Sequence, residues 1–328
     1  MAHEAVQLSD VGEVEQVIHG ERKIFLHKER WLIDERISLV RKYAAIGGPP
    51  VVLVHGFAQN RYSWHASRRS FSAYLASLGY DVYNLELRGH GNSRASLRPE
   101  RFDDYLEDVA RVAGLIGEPA FWIGHSLGGA VVYSAATRVP MRGVVGIGAL
   151  FRFAQANRAL NLLCKLSNLL GDRAPVGGIS IRTRLAGRLM SRLYSVSDIA
   201  GYAFPISGWA PGSMEPDLLA ERLERGFDWT SIQVWLDMAR WGSTGAFDHE
   251  EAWRRTEVPV FVIAGDYDHL MLPEDARVAY DLAGGPDRLF QVFDLHDTGF
   301  HWGHLDLILG HQAPRFVWAA IADWLKER

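Results

Sequence analysis

Short apolar runs alternate with longer amphipathic stretches along most of this chain. Runs rich in Val, Ile, Leu and Phe occupy residues 51–54, 81–87, 120–123, 143–148, 258–263 and 288–293. Runs that are apolar on both faces fit strands covered by helices on either side, so the alternation predicts an α/β fold with a mostly parallel, buried central sheet. Helical patterns are predicted over 64–78 and 102–116, and over 314–326 at the C-terminal end. Ahead of this core, the runs 14–19 and 23–27 flank Gly20-Glu21-Arg22, and 37–43 alternates apolar with charged residues. Together they predict an antiparallel lead-in to the sheet.

The alternation breaks between residues 151 and 251, a stretch that leans helical and is rich in Leu, Arg and Trp. A structureless loop of that length is implausible in a compact domain. The expected organisation is therefore a core formed by 1–150 and 252–328, with a helical cap inserted at 151–251. The cap carries Trp209, Trp229, Trp235 and Trp241, with Phe151, Phe153, Phe204 and Phe227, and Trp253 follows it. Two or three of these aromatics are expected to line an apolar pocket, while most fill the cap's own core.

Composition excludes several classes. With 328 residues, 48% hydrophobic and 23% charged, the chain has the make-up of an ordinary globular protein. A net charge of −4 gives no footprint for nucleic acid. The single cysteine, Cys164, cannot form an internal disulfide, and residues 1–20 lack the basic start and apolar core of a secretory signal. A cytoplasmic location is the expectation. Local charge is less even: from 152 to 192 stand Arg152, Arg158, Lys165, Arg173, Arg182, Arg184, Arg188 and Arg192 against one acid, Asp172. Most such runs are solvated helix faces, but this one could also meet an anionic membrane surface or lipid.

The chemistry centres on Gly124-His125-Ser126-Leu127-Gly128, directly after the run 120–123 and before a helical pattern. A serine hydroxyl is a poor nucleophile, so it has to be presented on a tight strand-to-helix turn, where flanking glycines allow close backbone crossing. Acyl transfer also needs a base and a carboxylate to orient it. Asp266 and Asp268 follow the strand 258–263, and His296, His301 and His304 follow the strand 288–293.

Over nearly its whole length the chain resembles the α/β-hydrolase superfamily. The order Ser, Asp, His matches that superfamily, and Gly265, Asp268 and Pro273 resemble its acid segment with one extra residue before the proline. Gly303-His304-Leu305-Asp306 resembles the base segment of the acid-lipase-like branch. The resemblance implies Ser126 as nucleophile, Asp268 as acid with Asp266 as the alternative, and His304 as base. His55-Gly56-Phe57 resembles the oxyanion loop, which implies the amides of Phe57 and Leu127 as donors. His296 and His301 are expected in loop or pocket wall, His125 and His269 packed near the site, and Arg88 in a structural turn. Asn60 or Ser63 is expected to cap the helix that follows the oxyanion loop.

The leading expectation is a serine hydrolase of carboxylic esters with an apolar acyl or alkyl group, working without metal or organic cofactor. A thioesterase or acyltransferase would use the same acyl-enzyme, and a non-catalytic binding protein is the reading from another class. Epoxide hydrolases and haloalkane dehalogenases resemble the fold but need a carboxylate where Ser126 stands. Polyhydroxyalkanoate synthases use cysteine there.

Overall fold

The computed structural model describes residues 6–93, 101–171, 180–182 and 208–328. The lead-in strands are β1 (Val6–His19), β2 (Arg22–Ile33) and β3 (Ile37–Tyr43), and the core strands begin with β4 (Pro50–Val54). A short hairpin, β5 (His65–Ala66) and β6 (Arg69–Ser70), precedes β7 (Asp81–Leu85), β8 (Ala120–His125) and β9 (Met141–Ile147). Beyond the inserted segment come β12 (Val260–Gly265) and β13 (Arg288–Phe293), and within it β10 (Ser180–Arg182) pairs with β11 (Trp229–Ser231).

Among the described residues β10 and β11 form a separate two-stranded sheet, and the other strands form one eleven-stranded sheet in the order β13-β12-β9-β8-β4-β7-β3-β2-β1-β6-β5. From β13 to β7 every pairing is parallel, and from β7 outward every pairing is antiparallel. Strands β4, β7, β8 and β12 are buried at every residue, which is why β4, β8 and β12 are apolar on both faces up to His125, while β7 also buries Asp81 and Asn84. Because the parallel strands run the same way, the loops after β4, β8, β12 and β13 all emerge at one edge. The chain reverses direction across the sheet between β4 and β8, and the crevice at such a reversal is where open α/β sheets take ligands.

Several boundaries differ from the sequence pattern for local reasons. The helix expected over 64–78 is only Phe71–Ser77, because Ser70 accepts from the amide of Ala73 and starts it late. The preceding residues instead form a 3₁₀ turn, Arg61–Ser63, capped by Asn60, and then the β5–β6 hairpin that pairs onto β1. Strand β9 ends at Ile147 because Gly148 turns to φ 49°. The C-terminal helix runs Val317–Lys326.

The segment between β9 and β12 contributes the helices Arg158–Gly171, Pro216–Arg225, Ile232–Thr244 and Glu250–Trp253. Phe151, Phe153, Trp241 and Trp253 are buried in the same core as the sheet and its helices. Trp209 joins the core on the other sheet face. Phe204, Arg173, Arg184, Arg188 and Arg192 lie outside the described residues. Among those described, no helix is long and apolar enough to cross a membrane.

Leu53 sits fully buried at the middle of β4, between β7 and β8. Leu53→Ala is expected to cost about 2–5 kcal/mol through lost contact and the cavity left behind. In urea unfolding this should appear as a lower midpoint with an unchanged slope.

Candidate active site

Ser126 stands at the turn from β8 into the helix Leu127–Ala135, with φ 56° and ψ −124°. That conformation is one L side chains rarely adopt, and it is held by its surroundings. The amide of Ser126 donates to Ile147 O at 3.0 Å, and its carbonyl accepts from Leu150 at 3.1 Å and Gly129 at 2.9 Å. Gly124 and Gly128 are required by packing: a Cβ on Gly124 would collide with the backbone of Gly128, and one on Gly128 would strike the carbonyls of Val54 and His55. The elbow is thereby pressed against the end of β4, and a Cβ on Gly56 would lie 2.9 Å from Ser126 Cβ.

The loops after β12 and β13 bring an acid and a histidine together. His304 Nδ1 lies 2.7 Å from Asp268 Oδ2, with both side chains buried. The other carboxylate oxygen, Oδ1, accepts from the amides of Leu270 and Met271 at 3.0 and 2.8 Å, which fixes the orientation of the group. With Nδ1–H directed to Asp268, the opposite nitrogen of His304 is left as a proton acceptor. Gly148 makes room for this pair, since a Cβ there would lie 2.9 Å from Asp268 Oδ2 and 3.0 Å from His304 Nδ1.

Asp266 is engaged elsewhere. It accepts from the amide of Trp302 at 2.8 Å and lies 2.6 Å from Nδ1 of the half-exposed His301, so it joins the loop after β12 to the loop after β13. His296 is exposed and faces Asp297. His125 is fully buried, its ring centroid 4.4 Å from that of His304, and its Nε2–H donates to His304 O at 3.1 Å. Burial first, and the nearby His304 second, push its pKa well below the ordinary value, which leaves it a neutral strut.

Leu127 is the first residue of its helix, so its amide has no acceptor within the helix. Phe57, in the loop after β4, is partly buried with its ring 6.0 Å from that of Trp235 in the inserted segment. Arg88 donates from its backbone and its Nε to Asp108, both at 2.9 Å, in a structural turn. Among the described residues, Asp294, His296 and Asp297 could approach a cation, but Asp294 already caps a helix and His296 already bonds to Asp297.

Two straps tie the inserted segment to these loops, and the sequence shows neither in its spacing. Asp306, two residues beyond His304, accepts from the amides of Ala210 and Gly303 and from Ser213 Oγ, each at 2.7 Å. Its burial raises its pKa to about 7. On the other side, the amide of Asp228 donates to Ala58 O at 2.9 Å, and its carboxylate accepts from the amide of Gly91 at 2.7 Å and from Asn60 Nδ2 at 3.2 Å.

Residues 49–306 match the family described as alpha/beta hydrolase fold. The chain belongs to the α/β-hydrolase family. Among its relatives, "Epoxide hydrolase A" of Mycobacterium tuberculosis is 38% identical over 323 residues, covering 85% of this chain and 91% of that one. A "Monoacylglycerol lipase" of Mycolicibacterium smegmatis is 34% identical over 98 residues, which is 27% of this chain and 33% of that one. Among solved structures, a Paleococcus ferrophilus monoacylglycerol lipase superposes with a TM-score of 0.63 at 20% identity, covering 88% of this α/β-hydrolase and 98% of the other chain.

Because the folded pKa of Asp306 lies above the ordinary 3.8, the native state holds its proton more tightly than the unfolded chain. Stability contributed by this group is full below about pH 4 and falls as pH rises toward about 7. Asp306→Asn keeps an acceptor for the two amides and should flatten that fall. Urea midpoints for both proteins between pH 4.5 and 7.5 check this, and identical pH dependence would refute it.

Proposed function

We propose that this α/β-hydrolase cleaves carboxylic esters bearing an apolar acyl or alkyl group, through an acyl-enzyme on Ser126. The observation that supports it most is the buried His304–Asp268 pair packed against His125, the residue before a serine held on a strained elbow. In this reading Ser126 Oγ attacks the ester carbonyl while His304 Nε2 takes its proton, and Asp268 holds the imidazole in the required tautomer. The amides of Phe57 and Leu127 receive the oxyanion, a contribution of about 3–4 kcal/mol per donor. Collapse of the intermediate expels the alcohol, which takes the proton from His304. Water then attacks the acyl-enzyme with His304 again as base, releasing the acid and restoring the serine.

The relative of M. tuberculosis carries the name of an epoxide hydrolase, so epoxide opening is the reading to weigh against this one. A carboxylate that opens an epoxide forms an ester, and water can cleave that ester at its carbonyl. A serine that opened an epoxide would form an ether, with no carbonyl for water to attack, and the enzyme would stop after one turnover. Ser126 therefore favours ester substrates.

Contact with lipid belongs to the same reading. The helix Arg158–Gly171 turns Leu162, Leu163, Leu166, Leu169 and Leu170 outward, between 42% and 66% exposed, on the face opposite its buried Leu160 and Cys164. An apolar stripe beside Arg158 and Lys165 suits an anionic lipid surface.

Hydrolysis of p-nitrophenyl esters from acetate to palmitate should show an optimum that Ser126→Ala abolishes, along with labelling by a fluorophosphonate probe. His304→Ala should lose several orders of magnitude in kcat/KM, and Asp268→Asn about four. Asp266→Asn and His301→Ala should lose far less. Turnover of thioesters but not of esters would move the reading to a thioesterase. No serine-dependent turnover or labelling in a folded protein would leave a binding role.

A further inference from the structure

A polar cavity of about 280 Å³ lies between the antiparallel lead-in strands and the segment that follows the loop after β4. Its walls include Lys28, Lys42, Arg61, His65 and Asn84, and none of Ser126, Asp268, His304 or Phe57. Lys42, on β3, is 2% exposed, and its Nζ donates to Ser72 Oγ at 2.9 Å. Among the described residues no carboxylate pairs with it, while Lys28 and Arg61 add like charge nearby. The charges around it are otherwise committed: Arg61 pairs with Glu86 at 2.8 Å, and Glu15 on the rim pairs with Lys23 at 2.6 Å. A buried ammonium without a counter-charge is expensive, and either it gives up its proton or something anionic joins it.

A second observation narrows the choice. Asn84 is buried, its Nδ2 donates to Arg61 O at 3.1 Å, and its Oδ1 has no hydrogen-bond partner. The cavity is thus lined by basic side chains together with a residue that keeps one unsatisfied acceptor. His65 is half-buried with its Nδ1 against Gln16 Nε2, and desolvation lowers its pKa well below the ordinary value, which leaves it a neutral polar wall rather than a further charge.

We propose that this cavity is a binding site for a small oxyanion that also carries a hydroxyl, the anion meeting Lys42 and the hydroxyl donating to Asn84 Oδ1. Monohydrogen phosphate and small hydroxycarboxylates both have this chemistry. The site is independent of the ester chemistry at Ser126.

The test is isothermal titration of the full chain with inorganic phosphate and, separately, with glycolate, at constant ionic strength set by chloride. Saturable binding to wild type is expected in at least one arm, unchanged in Ser126→Ala and weakened about tenfold or more in Lys42→Met, through loss of charge-assisted hydrogen bonds. Lys28→Gln, which alters a residue at the cavity wall without removing the buried one, should weaken it less and serves if Lys42→Met does not fold. The arm that binds identifies the oxyanion. No saturable binding in either arm would overturn the proposal and assign Lys42 as a neutral buried amine. Equal affinity in Lys42→Met and Lys28→Gln to that of wild type would overturn it as well.

Discussion

A serine at φ 56° and ψ −124° would relax if its neighbours let it, and the packing around the elbow is what prevents that. Its carbonyl and amide are both bonded to the strand and loop of β9, and every residue of the helix that follows is buried. The absent side chains at Gly124 and Gly128 allow the helix to sit against the ends of β4 and β8. Without that close approach the serine would stand farther from the loop after β4, although strand direction already places both at one edge. The elbow is therefore less a feature of five residues than of three parallel strands in register.

The same sheet explains why the acid and the histidine meet. Strands β12 and β13 are parallel neighbours, so their following loops leave side by side, and Asp266 bonds one loop to the other. Asp268 and His304 then come together in a buried space that Gly148 leaves open. The charge arrangement at this end is economical: one carboxylate oxygen is satisfied by backbone amides and one by the imidazole.

Much of this is legible in the sequence, for identifiable reasons. Strands buried on both faces read as continuous apolar runs, and the elbow announces itself by its glycines and its place between a strand and a helix. The hairpin at 65–70 is not legible, because its form depends on Ser70 capping the next helix and on pairing with β1 some fifty residues earlier. Asp306 stands within the Gly303-His304-Leu305-Asp306 motif, yet its work is done on Ala210 and Ser213, more than ninety residues away. Lys42 reads as one charged position in an alternating strand, and nothing local marks it as buried without a counter-ion. Contacts over such separations are set by topology, which periodicity reports only in outline.

The straps at Asp306 and Asp228 bear on how such a protein can diversify. Residues 208–213 and 225–228 share hydrogen bonds with the loops that carry His304 and the end of β4, so exchanging them for another sequence would disturb both of those loops. The helix Arg158–Gly171 is joined to the rest through Leu160, Cys164 and its asparagines, and its leucine face bears on none of those groups. Natural or laboratory variation has its modular part there, and the strapped segments form the part that must change as one unit with the loops they are bonded to.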